Sequence, residues 1–251
     1  MDIYYLHHPD AATPIEETLS AIQELYAAGK FKRVYAPPVN LQTQTDSHIR
    51  TLTPLGTQFG LSNYLPADVQ KIHSLQAAAH SVLPSAYQGN YNAVARHSET
   101  ELFPLLRKLN ISFYAYSPIA GGFLAKTSAQ LRANEIEGRF GEKTFIGDMY
   151  NALYGKPSLH EGLDDWGAIA RDAGIGKAAL AYRWVVYHSA LREGDGVVVG
   201  ARHVGQLEET MKAIGEGRLE EGIARRASGV WEKVKGDAPR DNWNDYMSSK
   251  L

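Results

Sequence analysis

The 251-residue chain is 44% hydrophobic and 22% charged, with a formal charge of −2. This is the make-up of a soluble globular protein, without the basic stripe of a nucleic-acid binder. No apolar run is long enough to span a bilayer, no secretory leader opens the chain, and the absence of cysteine rules out disulfides, thiol catalysis and thiolate-bound metal. Small molecules, rather than nucleic acid or membrane, are the expected partners, and the cytoplasm is the expected compartment.

The chain opens on DIYYLH (2–7), a β-rich run that reads as a buried strand. A helix follows. Thr13 suits its N-cap, Pro14 its first position, and Glu16 completes a capping box. Ile15, Leu19, Ile22 and Leu25 recur at helical spacing, and Gly29 is a natural stop. FGLSN (59–63) is the second strand, with a helix near 66–80. SAYQGN (85–90) is the third. After it, Ser98 and Glu101 bracket a second capping box, ahead of an apolar face at Leu102, Leu105, Leu106 and Leu109.

ISFYAYS (111–117) is the fourth strand. Beyond a long loop come helices near 162–173 and 176–188, then a fifth strand, GVVVG (196–200), leading into VGQLEETMKAI. A final helix near 219–235 and a polar tail close the chain. Strands alternating with amphipathic helices predict a parallel sheet with right-handed crossovers. No G-x-G-x-x-G follows the first strand. Five units leave two architectures open: a (β/α)8 barrel lacking three units, or an open sheet of unknown order.

The chemistry-bearing residues cluster just past the strands. His7 and His8 follow the first, Ser62 and Asn63 the second, Gln88 lies late in the third, Tyr116 and Ser117 end the fourth, and Gly200 and Arg202 follow the fifth. In a barrel those tips face the active site. A histidine there can hydrogen-bond a substrate oxygen, and an arginine at a helix N-terminus can grip phosphate. Each residue alone is as readily a turn residue, a cap or a surface charge. GLSNY fails the G-x-S-x-G elbow of hydrolases at Tyr64, and no H-E-x-x-H spacing supports a metal site. Five clusters at the same end of successive strands point to one ligand site, and a phosphate-gripping last tip suggests a nucleotide.

The segments YYLHHPD, FGLSNY, YQGNYNAVARHSETELFPLLRKLNISFYAYSPIAGGFL, GRFGEKTF and VVVGARHVGQLEET resemble the aldo-keto reductases, and within them the aflatoxin-aldehyde reductase-like group. The resemblance implies a (β/α)8 TIM barrel without a Rossmann motif, of which about five of eight units are present, in a single domain over 1–251. It also implies NADPH-dependent reduction of aldehydes or ketones. His7 would orient the substrate carbonyl. Ser62, Asn63 and Gln88 would hold the nicotinamide carboxamide, and Tyr116 would stack on the ring. Ser117, Ile119, Gly121 and Leu124 would follow the pyrophosphate, Gly200 would belong to the cofactor site, Arg202 would face the ribose 2′-phosphate, and Gln206 would reach the adenine.

The substrate pocket would draw on Arg139, Phe140, Met149 and Tyr150 and on the tail DNWNDYMSSKL. Thr210 replaces a usual adenine-contacting asparagine, and Asn151 an arginine that suits carboxylated aldehydes. The resemblance places the catalytic aspartate, tyrosine and lysine in three earlier units not found here, so His7 is the one tetrad member present. Little or no reductase activity is expected of this chain. The alternative is a non-catalytic nucleotide-binding or regulatory module of the same kind. Open sheet edges would favour homo-oligomers or aggregation.

Residues 34–58 do not share the resemblance. They have little periodicity, three prolines and many Thr and Gln. Val34-Tyr35 can be encoded by GTATAY, Leu52-Thr53 by CTAAC and Gln58 by CAG, the donor, branch and acceptor signals of a short intron. The segment is read as a translated intron, with a surface-loop insertion as the alternative.

Overall fold

The computed structural model describes residues 3–31, 58–133, 140 and 144–248. Almost all of the 34–58 segment therefore lies outside the described residues. Five parallel strands run in chain order: β1 (Ile3–Leu6), β2 (Gln58–Ser62), β3 (Pro84–Asn90), β4 (Ser112–Tyr116) and β5 (Gly196–Val197). A doubly wound sheet reverses its strand order at a switch point. This sheet never reverses, and its order and sense are those of an incomplete (β/α)8 barrel.

Helices α1 (Ile15–Ala27), α2 (Pro66–Ala78) and α3 (Leu102–Lys108) follow the first three strands. The long β4–β5 connection holds α4 (Ser128–Ala133), α5 (Phe145–Tyr154), α6 (Pro157–Asp172) and α7 (Lys177–Tyr187). After β5 come α8 (Val204–Gly215), α9 (Glu221–Val234) and α10 (Asn244–Ser248). The short helices α4, α5 and α10 fall in stretches that periodicity read as loop or tail.

The pleat divides the sheet into two chemically different faces. Phe59 and Leu61, Tyr87, Phe113 and Ala115 alternate onto the outer face, all buried among the helices in one hydrophobic core. Leu19 and Ile22 of α1, Leu106 of α3 and Leu163, Trp166 and Ile169 of α6 belong to that core. The register puts Tyr5, Gly60, Ala86 and Ser112 on the inner face, and Ser62, Gln88 and Tyr114 on it one step on. Barrel interiors are usually filled by branched apolar residues; this one is rich in hydroxyl and amide groups. Tyr5 lies across Gly60, where a Cβ would sit 2.4 Å from the tyrosine ring.

Two predicted caps do not form. Helix α1 starts at Ile15, with Pro14 rather than Thr13 in the N-cap position and no side-chain cap; the Thr13 hydroxyl donates to Asp10 at 2.8 Å. Glu16 instead pairs with Lys71. Helix α3 also starts uncapped; residues 97–99 form a separate tight turn, and Glu99 is engaged by Arg96 and the Tyr91 hydroxyl. Gly29 does end α1, at φ +66°. The fifth strand is shorter than predicted. Among the described residues it pairs with β4 alone, and its last ladder bond runs from Val198 N–H to Ala115 O at 2.8 Å.

Candidate functional site

The strand tips open on one cavity of about 1130 Å³. His7, Asn63, Gln88, Tyr116, Ser117, Ile119, Gly121, Met149, Tyr150, Gly200, Arg202 and Gln206 all line it. Three expected residues do not. Ser62 is buried, with its Oγ accepting from Asn63 Nδ2. Leu124 and Phe140 are core side chains, Phe140 packing edge-on against Tyr150. Arg139 lies outside the described residues.

Asn63 is the hub. It leaves β2 at φ +61°, a left-handed conformation that asparagine tolerates better than most residues. From there its Nδ2 donates to His7 O at 2.9 Å and its Oδ1 accepts the Tyr116 hydroxyl at 3.0 Å. Its carbonyl accepts Asn244 Nδ2 at 2.8 Å. First burial, then the nearby Asp241 carboxylate, push the Tyr116 phenol well above the ordinary tyrosine value. The chain turns at Ser117, also left-handed at φ +54°. The Ser117 carbonyl accepts Asn92 Nδ2 and its hydroxyl pairs with Tyr150 Oη at 3.0 Å. Gly121 (φ +66°) completes the turn; a Cβ there would stand 2.0 Å from the Tyr150 ring.

The other wall is the start of α8. His203 caps the helix, Nδ1 accepting from Gln206 N–H, while Gln206 Oε1 accepts from Arg202 N–H. The exposed Arg202 guanidinium makes no ion pair among the described residues. Gly122 and Gly200 also line the cavity, and a Cβ on either would meet open space.

Sequence reasoning expected the tail at the pocket without naming its residues. Asn242 and Trp243 line the cavity, and Trp243 stacks on His8 at 4.2 Å. Asp241 folds the tail into this position by accepting from Trp243 N–H and Asn244 N–H; burial pushes its carboxyl above the usual range. D-N-W-N is an Asx-turn signature, so the turn was legible, although its destination was not. Lys126, Phe145, Ile146, Tyr182 and Glu209 also line the cavity. Among the described residues no cluster suits a metal ion, and no helix is long and apolar enough to cross a membrane.

The model of the aldo/keto reductase family matches residues 1–34 and 57–226. An oxidoreductase of Leptosphaeria maculans, sirO, is 41% identical over 241 residues, covering 95% of this chain and 65% of that protein. Human aldo-keto reductase family 7 member A3 is 34% identical, covering 95% of this chain and 67% of its own length. Rat aflatoxin B1 aldehyde reductase member 2 is 32% identical, covering 95% and 60%. The chain thus spans about two thirds of the length of these relatives.

Proposed function

The chain belongs to the aldo/keto reductase family, and on that footing we propose that its cavity holds NADPH beside a small carbonyl substrate. The observation that carries this reading is the convergence of the five strand tips on one cavity of dinucleotide size. The open space above Gly122 and Gly200 suits a phosphate chain lying close to backbone.

Asn63 and Gln88 would present amides to the carboxamide, and the Tyr116 ring a stacking wall. Ser117, Ile119 and Gly121 would follow the pyrophosphate. Arg202 would take the 2′-phosphate, which favours NADPH over NADH, and Gln206 would reach the adenine. When bound, the nicotinamide supplies a hydride to the carbonyl carbon. His7 would orient the carbonyl oxygen by a hydrogen bond, with Met149 and Tyr150 beside it.

Reduction also requires a proton at that oxygen. The Tyr116 hydroxyl is already given to Asn63 and is held above its ordinary value, which makes it a weak acid for the task. This 251-residue polypeptide is therefore proposed to bind NADPH but to turn over slowly. Titration of NADPH fluorescence should show saturable binding, and 4-nitrobenzaldehyde should be reduced at a small fraction of the rate of a longer relative. Absence of NADPH binding would overturn the reading, and rapid turnover its second half.

Self-association is proposed as well. Helix α8 exposes Val204 (71%), Leu207 (41%) and Met211 (44%) at i, i+3 and i+7, and Val198, just past the short strand β5, is exposed too. An exposed apolar stripe and a short edge strand each favour pairing with another copy.

A further inference from the structure

Among the described residues, one buried side-chain oxygen or nitrogen has no hydrogen-bond partner: Asn242 Oδ1. The residue is 7% exposed and lines the cavity. It is held from two sides. Its Nδ2 donates to Tyr150 Oη at 3.3 Å, and two residues on, Asn244 Nδ2 anchors the segment on Asn63 O at 2.8 Å. The surrounding fold satisfies the other buried amides, Asn63, Gln76, Asn90 and Asn92. A buried acceptor left unmet is costly, so a fold that meets its neighbours and retains this one points to a partner from outside the chain.

The oxygen is closed to solvent and is carried by the short 241–246 segment. That segment rests on ring contacts, Trp243 on His8 at 4.2 Å and Tyr246 edge-on to Phe145 at 5.3 Å, and on the Asn244–Asn63 bond. For a donor inside the cavity to reach the oxygen, the segment would have to shift on those contacts. Trp243, His8, Phe145 and Met149 line the same cavity and favour a flat, aromatic molecule.

We propose that Asn242 is a specificity-determining residue whose Oδ1 accepts a hydrogen bond from an O–H or N–H group of the molecule in the cavity. The inference rests on the carbonyl-reductase reading above and refines it to an aromatic carbonyl compound carrying a donor. The same chemistry could come from the carboxamide of the dinucleotide, and the test separates the two sources.

Dissociation constants of the full chain are measured by calorimetry for NADPH, and in its presence for 4-hydroxybenzaldehyde and 4-methylbenzaldehyde. Wild type should prefer the hydroxyl compound about fivefold, the worth of one hydrogen bond. Asn242→Leu should erase the preference and leave NADPH unchanged, while Asn242→Asp, which keeps an acceptor, should retain it.

A variant that weakens NADPH several-fold and leaves the aldehyde pair untouched assigns the donor to the cofactor and upholds the acceptor role. Wild type without the preference, combined with an unaltered NADPH constant in both variants, overturns the proposal while the functional reading stands. Wild type that binds neither NADPH nor aldehyde overturns both.

Discussion

The Tyr116 hydroxyl donates to Asn63 Oδ1 at 3.0 Å, tying the end of β4 to the end of β2 across the intervening strand. Tyr116→Phe would keep the ring wall and remove this bond, leaving the buried Asn63 oxygen short of a partner. The expected cost is about 1–3 kcal/mol in urea unfolding. The NADPH dissociation constant should change less than about twofold, since stacking needs the ring and not the hydroxyl.

Arg202 is exposed on the cavity wall without an ion pair among the described residues. A guanidinium meeting a phosphate makes a strong, charge-assisted contact. Arg202→Ala should weaken NADPH binding by about tenfold or more, at about 1.4 kcal/mol per decade, and leave NADH binding nearly unchanged. Parallel titrations with the two dinucleotides check this. Equal losses for both would place the arginine elsewhere on the ligand.

His188 gives stability a pH dependence. Burial first, then the charges of Arg218 and Arg183, lower its pKa, and its Nε2 accepts from Leu219 N–H at 2.9 Å. His160 is shifted in the same direction by burial and Arg132. A histidine whose folded value lies below its unfolded value stabilises the fold above the unfolded value, about 6.5. That stability drains away as the pH falls through 6.5 towards the folded value. The melting temperature should therefore drop between about pH 7 and pH 5, and His188→Gln should flatten part of the slope.

The apolar stripe on α8 predicts concentration-dependent self-association, measurable by sedimentation velocity. Replacing Val204 and Leu207 with Lys, both exposed, should shift the distribution towards monomer without altering the circular dichroism. A monodisperse wild-type monomer at all concentrations would end the oligomer reading.

Residues 34–58 are expected to be dispensable. The family match skips residues 35–56. Of the segment, Gln58 has a place in the fold, pairing with Ile3 through the backbone at the start of β2; any residue except proline can fill it. Deleting 34–58 should preserve the spectrum and NADPH binding and raise solubility. Sequencing of spliced message tests the intron reading, and a dominant message that retains the segment would refute it.

Much of this protein could be read before it was seen folded. The α1 face at Ile15, Leu19, Ile22 and Leu25, the stop at Gly29 and the run of polar residues past each strand follow from local rules: side-chain period, turn chemistry and backbone sterics. Those rules act over a few residues, so the order of bases and hydroxyls along the chain already reported them. Only the folded molecule decided which local options lost and which remote groups met. Thr13 gave its hydroxyl to Asp10 rather than to the helix, and Leu124 and Phe140 went to the core. Asn244, 181 residues along the chain, came to rest on Asn63. Such contacts are chosen by the burial and packing of the whole sheet, a free energy summed over distant residues, and no short window of sequence contains it.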